Sequence, residues 1–360
     1  MSSTSIESPL LRKIAFLYGN TGVQLHPYSV RAPYFPGCFR LVVNLLINSA
    51  IFVNMLTGEQ FDSERLIAHL DTAKPFFKIL YKLFVSGFFP ISTAFTMMHY
   101  FLYGPAMMAC LDSPVLRRPF ENRKVARRYF SALLLFNFLM FLAVNTSNIN
   151  NYFRGQAQAS TLRTLYNITM LYLLSSIRYF QTTLLHYCLH GTHLRLLQLN
   201  EQLKGREKAD LSGSVLWQFA ALAQLNQQLY HLISLQMITF YCLSALNVLI
   251  ISYIALLIAD MYIILVFPLS NIAYILYLIG LNRKVQVQAA LIVCQLKHQC
   301  TPSGKRSYST TSRAIRYREL EIYQRCFQLK AFDLTKLNRK FILATALLIL
   351  NYTIFIYQTQ

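Results

Sequence analysis

An all-α membrane protein of seven transmembrane helices follows from three features of the 360 residues. Apolar runs of near-spanning length recur, charge alternates from one connecting segment to the next, and helical periodicity continues past several of the runs. Hydrophobic residues make up 55% of the chain and charged residues only 13%, which argues against a pair of soluble domains. A net charge of +20 would ordinarily raise nucleic acid as a partner. Here the bases lie between the apolar runs, where positive-inside bias puts them, so the expected partner is the lipid bilayer and not nucleic acid.

The spans are expected at 38–57, 76–103, 129–146, 165–188, 232–254, 258–280 and 341–359. This divides the chain into a cytoplasmic N-terminal segment, 1–37, and six helices over 38–280. A cytoplasmic loop with an anchor helix, 281–340, and a final helix, 341–360, complete it. The opening residues show no clear signal-peptide core, so the first span is expected to act as the insertion signal. Apolar tract 232–280 is divided near Ala259 and Asp260 because two antiparallel helices need a turn. Alternate segments carry 27 Lys and Arg against 4 in the others, which sets the N-terminus in the cytoplasm and the C-terminus outside. The acids Glu59, Asp62, Glu64 and Asp71 fall in an external loop, and none of the seven cysteines does. From Leu184 to Leu203, Leu211 to Leu232 and Ile315 to Leu337 the helical period runs on beneath the spans, predicting a helical cytoplasmic anchor layer.

The final span is the most informative. From Phe341 to Tyr357 it carries no charge, yet it holds Asn351, Tyr352 and Thr353, followed by Gln358. Ala344, Leu347, Asn351, Ile354 and Gln358 recur in steps of three and four and share one helical face. Such a face suits either a helix–helix seam or the wall of a narrow wet path.

Elsewhere, Arg178 sits deep in the fourth span beside Ser175 and Ser176, where a charge marks a functional site unless hydroxyls and carbonyls satisfy it. Tyr166, Tyr172, Tyr241 and Tyr262, with Asn145 and Ser244, lie in outer halves of spans, where amphipathic rings suit either a ligand pocket or an interfacial belt. Lys74, Lys78 and Lys82 recur every four residues and read either as snorkelling bases or as a basic patch above a ligand pocket. His186, His190 and His193 share a face at a spacing a metal could use, but no acid or cysteine set accompanies them, so packing is expected and no metal or cofactor. Asn145 and Asn167 head glycosylation sequons that hug the membrane. No phosphate-binding glycine loop, HExxH or GxSxG occurs, so no enzyme is expected.

Neither a DRY sequence after the third span nor an NPxxY in the last is present, and the orientation is the reverse of a G-protein-coupled receptor. The chain resembles the insect gustatory receptor family, within the gustatory/odorant receptor superfamily. That family's signature in its last span is Thr-Tyr, about five apolar residues, then Gln-Phe. Here Tyr352 and Gln358 match in identity and spacing, while Asn351 replaces the Thr and Thr359 the Phe. The resemblance implies a chemosensory (taste) receptor acting as a ligand-gated non-selective cation channel. Four subunits, identical or mixed with other family members, would surround a central pore in the plasma membrane of a sensory neuron. It further implies a pore lined by the last span and a tastant pocket in the outer half of the second to sixth spans. Leu347, Asn351, Ile354 and Gln358 then line the pore, Tyr352 couples it to neighbouring helices, and Tyr166, Tyr172, Arg178, Tyr241 and Tyr262 contact the small-molecule tastant. A seven-span receptor signalling through an intracellular partner, a transporter and an accessory subunit of a heteromeric receptor stand as alternatives.

Overall fold

The structure, a computed structural model, describes residues 7–19, 46, 89–153, 161–204, 214–233, 245–246, 266–299, 310–331, 335–336, 340, 344, 347, 351, 354 and 358. Every described position within the seven expected spans is helical. The helices are α1 (Pro9–Gly19), α2 (Phe89–Leu111), α3 (Pro114–Arg117), α4 (Arg123–Phe153), α5 (Thr161–Lys204), α6 (helical at 214–233), α7 (Val266–Gln299) and α8 (Thr310–Arg325). A 3-10 turn, Arg118–Glu121, separates α3 from α4. Among the described residues one segment, Arg123–Leu142 in α4, is long and apolar enough to cross a membrane.

α5 is the organising rod. Its 44 residues run without a break through the expected fourth span and on to Lys204, as the uninterrupted period of Leu184 to Leu203 required. It packs most extensively on α7 and then on α4. On α7 the buried positions Leu278, Leu281, Val285, Ala289, Ile292 and Leu296 advance by three or four, which puts one apolar stripe against the rod. Leu185, Leu189, Leu196 and Leu199 of α5 are buried in the same core. α7 passes through position 280 as continuous helix, so the sixth span and the first part of the 281–340 segment form one element.

The N-terminal helix joins the same core. Ser8 caps α1, its Oγ accepting from the Leu11 amide at 3.3 Å, and Pro9 occupies the first helical position, where its missing N–H costs nothing. Asp112, just past α2, accepts from the amides of Glu7 at 2.7 Å and Ser8 at 2.9 Å, tying down the start of α1 from a distant part of the chain. Arg117 grips the Glu7 carboxylate and reaches Glu121 at 3.7 Å. Leu10, Leu11, Ile14 and Ala15 then enter the common core.

One stretch departs from expectation. The helical period of Ile315 to Leu337 predicts a helix leading into the last span, whereas α8 ends at Arg325. A turn follows, then a short antiparallel pair with Lys330 opposite Lys336 and Ala331 opposite Thr335. Phe327 and Leu329 are buried, with Phe327 5.3 Å from the ring of Phe219 on α6. Burying both side chains draws the backbone off the helix axis.

Candidate functional site

The described residues of the last helix are Lys340, Ala344, Leu347, Asn351, Ile354 and Gln358, all helical and all exposed. At 100° per residue they fall within an arc of about 80°. Leu347 is 58% exposed and Ile354 44%, with Asn351 between them. Asn351 and Gln358 are seven residues apart, so their amides sit about 10 Å apart along the axis. The face therefore alternates apolar and amide side chains, carries no charge beyond Lys340, and is uncovered by the chain's own residues. Repeated around an axis it would supply neutral amide rings separated by an apolar collar, a pattern that hydrates a cation and closes by dewetting.

Other expected site residues stand as follows. Tyr166, Tyr172, Arg178 and Asn167 lie within α5, and Asn145 within α4, as backbone positions in regular helix. Both sequons are thus helical rather than in the loop between the two helices. Tyr241, Tyr262 and Tyr352 lie outside the described residues.

Sequence reasoning missed a polar and aromatic junction where α4, α5 and α7 meet. His186 is its hub: Nδ1 lies 3.2 Å from the Tyr129 hydroxyl and Nε2 3.2 Å from that of Tyr277. A neutral imidazole donates from one nitrogen and accepts at the other, so one ring ties two neighbouring helices to the rod. Tyr129 also stacks near His190 at 5.4 Å, and Phe120 stacks on Tyr187 at 4.7 Å. Among the described residues no group of three His, Cys, Asp or Glu is placed to hold a metal. The one available signal was the i, i+4 spacing of His186 and His190 on a helix otherwise apolar there.

A second polar knot lies lower. Buried Asn226 of α6 accepts from Thr192 Oγ1 at 3.0 Å and donates to its own Leu222 carbonyl at 2.8 Å. Arg195, nearly fully buried, donates to Gln198 at 2.9 Å and Gln218 at 2.5 Å. Burial pulls its guanidinium below the usual value, with Arg118 adding to the effect. Both amide partners are neutral, so this cation is solvated by side-chain carbonyls rather than paired by those contacts.

No family model matches the sequence, and no curated protein matches it. Among solved structures the chain is similar to the insect olfactory receptor OR5 from Machilis hrabei, with a TM-score of 0.62 at 12% identity, covering 97% of this chain and 98% of that one. It is equally similar to the same receptor in complex with eugenol, with a TM-score of 0.64 at 12% identity and the same coverage. The chain has the insect olfactory receptor fold. Both neighbours are described as olfactory receptors.

Proposed function

We propose that the chain is a chemosensory receptor acting as a ligand-gated, non-selective cation channel, with small-molecule binding in an outer transmembrane pocket opening a central pore shared by four subunits. The observation that carries this reading is the exposed stripe of Leu347, Asn351, Ile354 and Gln358 on the last helix. In lipid a bare Leu or Ile costs little, whereas an amide without a partner is costly, so Asn351 and Gln358 on one exposed face favour a helix that meets copies of itself. Four copies arranged about one axis give every stripe the same environment. Fold likeness to an olfactory receptor, and the tyrosine and glutamine of the last span, support the same class.

On this reading Asn351 and Gln358 form the amide rings and Ile354 the collar between them. Tyr352 faces away from the axis and couples the helix to its neighbours, while Tyr166, Tyr172, Arg178, Tyr241 and Tyr262 contact the ligand. Seven crossings put the termini on opposite sides and the Lys and Arg bias puts the N-terminus in the cytoplasm, with the plasma membrane of a sensory neuron as the expected site. Ligand opens the pore because it binds the open arrangement more tightly than the closed one. The eugenol complex of the structural neighbour favours a second reading of the ligand, a volatile aromatic odorant in place of a tastant.

The test is a screen of both ligand classes against cation current, comparing wild type with Gln358→Ala. Altered permeation or block in the variant is expected; identical behaviour would remove Gln358 from the pore. Ile354→Ala should raise the resting open fraction roughly tenfold by removing apolar closure worth on the order of 1.4 kcal/mol.

A further inference from the structure

Arg123, Lys124, Arg127 and Arg128 open α4, and all four are exposed. None of them takes part in an ion pair among the described residues. The carboxylates nearby are engaged elsewhere: Asp112 holds the first amides of α1, and Glu7 and Glu121 both turn to Arg117.

Their direction is decisive. At 100° per residue the four bases span an arc of about 140°, opposite the side that carries buried Tyr129, Leu133 and Met140. Continuing up the same helix, Leu134, Leu135, Phe138, Leu139 and Leu142 are exposed and cover nearly the same arc. The bases thus stand directly beneath an apolar stripe suited to acyl chains, about 9–16 Å below Leu134 along the axis, a depth that long side chains bridge to the headgroup layer. α1 adds to the face, with Lys13 5.6 Å from the centre of the Phe130 ring and Arg12 exposed beside it.

We infer that this face of α1 and α4 is a binding site for a polyphosphorylated inositol lipid of the inner leaflet. Three of the four α4 bases are arginines, whose planar forks match phosphate oxygens two at a time. A phosphomonoester carries close to two negative charges at neutral pH, so a headgroup with two of them neutralises the four cations, which a serine headgroup with one net charge does not. The site rests on the membrane placement and cytoplasmic N-terminus of the proposed function.

The experiment uses the full chain in nanodiscs of phosphatidylcholine with either phosphatidylinositol 4,5-bisphosphate or phosphatidylserine at matched total charge, and a fluorescent bisphosphate lipid as probe. Wild type should hold the probe at least tenfold more tightly in serine-containing discs than the double variant Arg123→Gln/Arg127→Gln does, and unlabelled bisphosphate lipid should displace it where serine lipid does not. Arg318→Gln/Arg325→Gln, with the same charge change on α8, should bind as wild type. Equal displacement by serine lipid, or undiminished binding by the α4 variant, would overturn the site. Unchanged melting temperature shows that the variant is folded. Protease protection of N- and C-terminal tags, read on the same protein in sealed vesicles, separates the two possible failures. A correctly oriented receptor without lipid selectivity defeats this inference alone, and a chain that does not insert defeats the reading beneath it.

Discussion

Asp112 shows how far a single residue can act. Its carboxylate takes two amide hydrogens of a helix start more than a hundred positions earlier, and charged hydrogen bonds of this kind are worth about 1.5–3 kcal/mol in favourable settings. Asp112→Ala should lower the melting temperature and expose the N-terminal helix to proteolysis, whereas Glu121→Ala, losing only a partly exposed ion pair at 3.7 Å, should do little. His190 and His193 both titrate below the usual 6.5, chiefly because of burial, with His193 acting on His190 and Lys284 of α7 acting on His193. The folded chain then binds fewer protons than the unfolded one as pH falls through 6.5, so their contribution is complete above that pH and is lost below it. Melting followed from about pH 7.5 to about pH 5.5 should show this loss, and His190→Gln/His193→Gln should shrink it. The shared face of His190 and His193 was legible in the sequence, whereas the contacts of Asp112, Tyr129 and Tyr277 were not, because these residues reach their partners only through the packing of elements far apart in the chain.

Among the elements, α5 was the most legible, since an apolar period that never lapses from the span to Leu203 leaves no place for a break. The turn after Arg325 was not, because the pull on Phe327 comes from Phe219 of α6 rather than from any Gly or Pro signal nearby. Two glycines test the packing of the rods from opposite directions. A Cβ on Gly191 of α5 would meet Leu116 Cδ1 at 2.9 Å and Phe120 Cε2 at 3.0 Å. Leu116 is fully buried and Phe120 is held against Tyr187, so neither side chain has room to retreat. Gly191→Ala should therefore destabilise by about 1–2 kcal/mol, after the gain in helix propensity is subtracted from the overpacking. At Gly280 of α7 nothing lies within 4 Å, and Gly280→Ala should stabilise by about 0.5–1 kcal/mol. Thermal melting of the two variants side by side reads both signs.

For the whole molecule, composition and recurring apolar periods were enough to anticipate the all-helical architecture, and the last span's polar period picked out positions that, among the described residues, are all exposed. The Tyr129–His186–Tyr277 junction stayed hidden because aromatic and histidine residues at membrane borders are common, and only the meeting of three helices gives these their roles. Orientation is open to a direct check: an epitope at Gln360 should stain on intact cells and one at the N-terminus only after permeabilisation. The unbroken length of α5 has one more consequence. Its 44 residues make a strut roughly 65 Å long, wedged near its lower third by Leu116 and Phe120 against Gly191. Pivoting there, a lean of only 5° would swing the Thr161 end by roughly 4 Å, so on the proposed reading a guest molecule nudging that end would work with mechanical advantage on everything stacked beyond the fulcrum.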